Sequence, residues 1–180
     1  MTCIVGIVAK DGVYIGGDSA GVYDTVVERR TDVKVFRRGD FVIGFTSSFR
    51  MGQLLRFKLN APAQHADTDT YEYMVTDFID AVRDCLKDGG YARKSEEAET
   101  GGTFLVGYKG RLFEVDEDYQ VAEHIAGYTA VGCGARFAMG ALYALKHITT
   151  MGAKEMVKVA LEAAAEMSTG VRAPFSIEKV

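Results

Sequence analysis

The chain has 180 residues, a formal net charge of −4 and 48% apolar side chains, which suits one domain over 1–180 with a sizeable core. The acidic balance and the lack of any basic cluster exclude nucleic acid as the expected partner, and no apolar run approaches the roughly 20 residues of a membrane span. Three cysteines (Cys3, Cys85, Cys133) and three histidines (His65, His124, His147) are too scattered for a disulfide framework or a zinc site, and with no basic, apolar leader the expected compartment is the cytoplasm.

Cys3 to Ala9 is an apolar, β-branched run and reads as a strand. Lys10-Asp11-Gly12 turns it into a second strand, Val13 to Gly17, which ends at Asp18-Ser19. Gly16 and Gly17 carry no bulk, so another segment is expected to approach the backbone there. Residues 20–31 are polar and read as a loop. Val33 to Phe36 and Phe41 to Phe45 form a second hairpin across Arg38-Gly39-Asp40. Thr46-Ser47-Ser48 caps a helix with Met51, Leu54 and Leu55 on one face. A polar loop, 60–68, leads to a longer helix whose apolar stripe is Tyr71, Met74, Val75, Phe78, Ile79, Val82, Cys85 and Leu86. Asp69 and Glu72 start it like a capping box, and Gly89-Gly90 ends it.

Residues 91–101 are charged and are expected to be mobile. A second β block follows: Thr103 to Tyr108, Arg111 to Val115, Tyr119 to His124 and Tyr128 to Val131. Gly132-Cys133-Gly134 opens a helix bearing Ala138, Ala141, Leu142, Leu145 and Ile148. Gly152 separates it from a helix bearing Met156, Val157, Ala160, Leu161 and Ala164, and Phe175 to Val180 is a last strand. The order ββββ-αα-ββββ-αα-β does not alternate as a doubly wound sheet would. It predicts an α+β fold, a four-layer αββα sandwich of two antiparallel sheets, each β block making one sheet with its helix pair outside.

Thr2 stands at the head of the first strand. With Met1 removed, it carries a hydroxyl and a free α-amine on one residue, a nucleophile with its own base. The amine, with a pKa of about 7.7–8.0, stays unprotonated if an ammonium lies beside it. That ammonium needs a carboxylate to orient it, and the developing oxyanion needs backbone N–H donors. Asp18 at the end of the second strand, Lys34 in the third and Ser47-Ser48 at a strand-to-helix junction are the candidates.

These residues resemble the proteasome-type N-terminal nucleophile (Ntn) hydrolases, and within them the simple bacterial ring proteases. The opening Thr2-Cys-Ile-Val-Gly-Ile-Val-Ala-Lys-Asp-Gly-Val-Tyr-Ile-Gly-Gly-Asp18-Ser is similar to the family's own, and the spacings from Thr2 to Asp18 and Lys34 match its threonine, aspartate and lysine without a gap. Gly44-Phe45-Thr46-Ser47-Ser48 resembles the oxyanion loop, with Ser47 or Ser48 where the family has glycine. Val131-Gly132-Cys133-Gly134 resembles a Gly-Ser-Gly element, with Cys133 for the serine that assists the threonine amine. Glu166-Met-Ser-Thr169-Gly resembles a later Asp-x-x-Ser segment, with Glu166 for the aspartate and Thr169 for the serine.

The resemblance implies a threonine endopeptidase acting on peptide or unfolded protein, inside a homo-oligomeric ring or spiral fed by a separate AAA+ unfoldase. It places the substrate near Gly21 and Ser47, with Asp32 and Thr46 lining a pocket. It implies no cofactor for the chemistry. In some relatives backbone carbonyls hold a structural Na or Mg ion, and by position these are Ala165, Ser168 and Val171. Two alternatives keep the fold: an Ntn amidohydrolase or acylase on small substrates, and a catalytically silent ring subunit. A nucleotide site at Gly132-x-Gly134 is disfavoured, because Phe137 stands where GxGxxG needs its third glycine.

Overall fold

The computed structural model describes residues 1–96, 98–148 and 150–180. Its strands are β1 Cys3–Ala9, β2 Gly12–Gly17, β3 Ala20–Tyr23, β4 Val26–Arg29, β5 Val35–Arg38, β6 Phe41–Phe45, β7 Arg93–Ser95, β8 Ala98–Thr100, β9 Phe104–Tyr108, β10 Arg111–Val115, β11 Val121–Glu123, β12 Tyr128–Gly132 and β13 Ser176–Lys179. Its helices are α1 Phe49–Phe57, α2 Thr70–Tyr73, α3 Ile79–Asp88, α4 Ala135–Ile148 and α5 Ala153–Met167, and a π-helical turn, Met74–Phe78, joins α2 to α3.

Strand side chains alternate between two faces, and that alternation builds the layers. In β1, Cys3, Val5 and Ile7 pack with Leu142, Val157, Leu161 and Ala164 of α4 and α5. Ile4, between them, points the other way and meets Val13, Ile15, Val35, Val42, Leu105 and Leu112 from both sheets. In the second sheet Phe41, Ile43, Phe45, Phe104 and Val106 turn from that middle layer to Met51, Leu55, Phe78 and Val82 of the other helices. The result is the four-layer αββα sandwich. No described helix is long and apolar enough to cross a membrane.

The sheets are not one per block. One sheet has the order β12-β1-β2-β13 and the other β11-β10-β9-β6-β5, each drawing on both halves of the chain. All their pairings are antiparallel. The local hairpins are as the turn residues predict; their long-range neighbours are set by which faces the sheets must bury. Two further corrections concern hairpins. Residues 20–31, expected as loop, hold the ribbon β3–β4, and residues 91–101, expected as mobile, hold β7–β8. Both are exposed on most of their length, so they lack the apolar alternation that marks a strand. Glu97 lies outside the described residues.

The long helix is also less regular than its stripe suggests. The π turn adds a residue to one turn, so Tyr73, Met74 and Phe78 are all fully buried while Tyr71 is 41% exposed. Tyr73 therefore replaces Tyr71 on the core face, and its buried hydroxyl donates to the Pro62 carbonyl at 2.7 Å.

Candidate active site

The β1–β2 register places Asp18 beside the start of the chain. Ile4 pairs with Gly17, so the next residue on each strand, Cys3 and Asp18, face each other. Asp18 N–H donates to the Cys3 carbonyl at 3.3 Å, and Cys3 N–H donates to Asp18 Oδ1 at 3.1 Å. Gly16 and Gly17 admit the neighbouring layers on opposite faces. A Cβ on Gly16 would lie 2.5 Å from Val157, and one on Gly17 would lie 2.7 Å from Ile4 and 2.9 Å from Val35. The second of these contacts brings the segment ahead of β5 against β2. Lys34, the last residue before that strand, thereby reaches Asp18.

Lys34 Nζ donates to Asp18 Oδ1 at 2.8 Å and to Thr2 Oγ1 at 2.9 Å. Thr2, Asp18 and Lys34 are all buried. Asp18 Oδ2 accepts two more bonds, from Ala20 N–H at 2.9 Å and Arg172 N–H at 3.3 Å, so every lone-pair direction of this buried carboxylate is used. Burial pushes the Lys34 ammonium below its ordinary value of 10.5, against the pull of Asp18. The Cys3 thiol, 0% exposed, is pushed up to about 12 by burial and by Asp18. Thr2 itself follows Met1, so its nitrogen is an amide, and its hydroxyl donates to the Met1 carbonyl at 2.5 Å.

Ser47 and Ser48 divide their roles. Ser47 has φ +62°, the left-handed region that glycine favours. Its N–H has no acceptor among the described residues, and its Oγ accepts from Thr103 N–H at 3.0 Å. Ser48 N–H is spent on the Thr46 carbonyl at 2.7 Å, and Ser48 Oγ caps α1 by accepting from Arg50 N–H at 3.1 Å. A free backbone donor thus belongs to Ser47. Thr46 lies close by, its Oγ1 3.4 Å from where a Cβ on Gly132 would stand. Asp32 lines a shallow hollow with Phe45, Phe49 and Gln53, but Thr46 and Gly21 are outside it. Arg30 forks onto Asp32 with two 2.8 Å bonds, which hold the carboxyl below the usual carboxylate range.

The later residues separate. Gly132, at φ +96°, passes so near Thr2 that a Cβ would meet the Thr2 carbonyl at 2.3 Å, and Gly134 N–H donates to that carbonyl at 3.3 Å. Cys133 is exposed, with its Sγ 3.4 Å from Ser168 Oγ. A Cβ on Gly170 would meet both Met1 and Cys133 Sγ, so Met1 and the thiol share that glycine's open side. Glu166 and Thr169 are exposed and make no hydrogen bond to these groups among the described residues. The hydroxyl that meets Cys133 is that of Ser168. Of the three carbonyls considered for a cation, Ser168 and Val171 accept from Arg172 Nη1 at 3.0 and 2.7 Å, and Ala165 does not. No cluster of three His, Cys, Asp or Glu side chains able to hold a metal occurs among the described residues.

The family model described as "Proteasome subunit" matches residues 1–177. The chain belongs to the proteasome subunit family. No curated protein matches it. Among solved structures it is similar to Thiobacillus denitrificans BPH in complex with epoxomicin, at 22% identity and TM-score 0.78, covering 98% of this chain and 97% of that one. It is similar to the eukaryotic HslV from Trypanosoma brucei, at 20% identity and TM-score 0.70, covering 98% of each chain. It is also similar to Anbu (ancestral beta-subunit) from Yersinia bercovieri, at 14% identity and TM-score 0.66, covering 98% of this chain and 80% of that one.

For this proteasome-family chain the sequence reading overlooked two residues. Arg172 was missed because an arginine two residues past Gly170 reads as surface charge. Its one signal was position, since a cation just beyond a helix C-terminus suits the orphaned carbonyls there. The resemblance names Ser168 only for its carbonyl, and nothing local in the sequence separates its hydroxyl from that of Thr169.

Proposed function

We propose that this chain is a threonine peptidase whose nucleophile is Thr2 after removal of Met1. The observation that supports this best is the buried run Thr2 Oγ1–Lys34 Nζ–Asp18 Oδ1, with successive distances of 2.9 and 2.8 Å. Loss of Met1 frees the Thr2 amine and also the hydroxyl now bonded to the Met1 carbonyl. Thr2 Oγ then attacks a peptide carbonyl carbon while the amine takes its proton, directly or through a water. The Lys34 ammonium disfavours protonation of the amine beforehand, so that it is free to accept the hydroxyl proton. Asp18 fixes Lys34 in place, and the Ser47 N–H donates to the oxyanion. The tetrahedral adduct collapses by breaking the C–N bond, and the amine returns its proton to the leaving nitrogen. Water, activated by the same amine, cleaves the Thr2 ester and restores the hydroxyl.

Cys133 Sγ and Ser168 Oγ, 3.4 Å apart beside the glycine that Met1 also approaches, would assist the freed amine as a thiol–hydroxyl pair. A thiol donates weakly, so proton delivery is slower than a hydroxyl pair would make it. The substrate lies extended near Gly21 and Ser47, with one side chain toward the hollow beside Asp32. The chain works as a cytoplasmic homo-oligomeric ring or spiral on peptides or unfolded protein, with an AAA+ unfoldase as its feeder, and needs no cofactor for the chemistry.

Intact mass and one substitution test the reading. The active protein should lack one methionine, and an electrophilic peptide probe should add to Thr2. Thr2→Ala should lose peptide hydrolysis by roughly 10³-fold or more and lose labelling. Full activity with Met1 still attached, or in Thr2→Ala, would falsify it.

A further inference from the structure

Two of the carbonyls that the resemblance assigns to a metal ion are already taken. We infer that the Arg172 guanidinium is the built-in cation of this site, held by the Ser168 and Val171 carbonyls in place of a Na or Mg ion, and that it fixes the turn that orients Asp18. Arg172 Nη1 donates to the Ser168 oxygen at 3.0 Å and to the Val171 oxygen at 2.7 Å. A metal ion on those oxygens would sit against a guanidinium, and two like charges at such range repel. Only Ala165 of the three carbonyls is left, too few for Na and far short of the oxygen octahedron Mg requires.

The position explains why a cation belongs there. Ser168 caps the C-terminal end of α5, where the helix presents unpaired carbonyls and the negative pole of its dipole. Arg172 answers that pole with a charge carried by the chain itself, and no ion pair competes for it among the described residues. A covalently attached charge also has no dependence on ion concentration.

The same residue reaches the centre of the site through its backbone. Arg172 N–H donates to Asp18 Oδ2 at 3.3 Å, and its carbonyl accepts from Ser19 N–H at 3.0 Å and Ser19 Oγ at 3.2 Å. The guanidinium closes the turn from Ser168 to Arg172, and the backbone of that turn clasps residues 18 and 19. Arg172 is thus a positioning residue for Asp18, and through Asp18 for Lys34.

The test reads melting temperature first, which does not depend on the proposal that Thr2 is a nucleophile. The full chain is stripped with EDTA and moved into choline chloride, then titrated with Na⁺, K⁺, Mg²⁺ or Ca²⁺ at constant ionic strength. The wild type should show no saturable change in Tm. Arg172→Ala should melt lower by roughly 4 °C or more in choline and recover part of that loss with one of the ions. Arg172→Lys, which keeps a point charge, should fall between the two and serves if Arg172→Ala does not fold. A saturable rise of the wild-type Tm with any ion overturns the inference. So does an Arg172→Ala protein that melts like the wild type, or one that no ion restores while Arg172→Lys is equally low. Labelling of Thr2 by an electrophilic probe, followed in the same titration, should track Tm; its absence in every protein would count against the Thr2 reading alone.

Discussion

The side chains of Lys34 and Asp18 are 1% and 0% exposed, whereas Cys133, Glu166 and Thr169 face solvent. The first half of the site is held from all sides. Asp18 accepts four hydrogen bonds, from Lys34, Cys3, Ala20 and Arg172, and no member of the group can rotate without leaving a buried polar atom unpaired. In the second half, the contact between Cys133 and Ser168 is a weak one through a soft atom, and Cys133 is exposed to solvent. Burial enforces the geometry of Thr2, Asp18 and Lys34. Two of the departures from the pattern that carries the resemblance, Cys133 and Glu166, lie in this partly exposed half.

The largest effect should come from breaking the buried half. Lys34→Met leaves the Asp18 carboxylate buried and without its cation, and should cost about 3–5 kcal/mol of stability along with all peptide hydrolysis. Lys34→Met combined with Asp18→Asn should recover much of the stability and none of the activity. Equal stability of the single and double variants in urea titration would show that the ion pair does not hold the site. The pH dependence follows from burial. Lys34 titrates below its ordinary 10.5 in the native chain, so between that lowered value and 10.5 the unfolded chain binds the extra proton. The Lys34 contribution to stability should therefore rise with pH across that window, against the fall that the raised Cys3 thiol produces between 9 and about 12, and the Lys34 part should be lost in Lys34→Met when the two pH–stability curves are subtracted.

A middle-sized effect separates the thiols. Cys133 is exposed, while Cys3 is fully buried with its thiol at about 12, so at pH 8 only about one Cys3 in 10⁴ is thiolate. A small thiol reagent should modify Cys133 quickly and Cys3 only on unfolding, as peptide mapping by mass spectrometry will read. Cys133→Ser should raise the rate of peptide hydrolysis by up to roughly 10-fold, because a hydroxyl is the better donor. The smallest effect should come from Glu166 and Thr169, which are exposed and make no hydrogen bond to the site among the described residues. Glu166→Gln and Thr169→Val should each leave activity within about twofold and stability within roughly 0.5 kcal/mol, whereas Ser168→Ala should slow hydrolysis measurably.

What the sequence makes legible divides along the same line. Thr2, Asp18 and Lys34 stand in or beside strands whose hairpins are announced by turn residues, so their meeting follows from local pairing. Ser47 and Ser48 differ in backbone conformation, Ser47 standing at φ +62° and Ser48 in the extended region, and two adjacent serines carry no trace of that difference. Ser168 against Thr169 depends on how α5 ends. The β3–β4 ribbon has Val26 and Val27 on its surface, 55% and 43% exposed, so it shows no buried alternation to read. The mixing of the two sheets was invisible for a different reason: β1 with β12, and β2 with β13, pair across most of the chain, and no local pattern names a partner that far away.

That long-range pairing sets when the site comes into being. The hydrogen bond from Arg172 to Asp18 spans 154 positions, and ribosomes add about 5–20 residues per second. Asp18 therefore waits roughly 8–30 s after its own synthesis for the amide that completes its coordination. For most of that interval β1 lacks β12, and throughout it β2 lacks β13, so a chain interrupted before Arg172 has its threonine, lysine and aspartate but no finished cradle for them. The fold thus acts as a completion check on the arrangement of Thr2, Asp18 and Lys34.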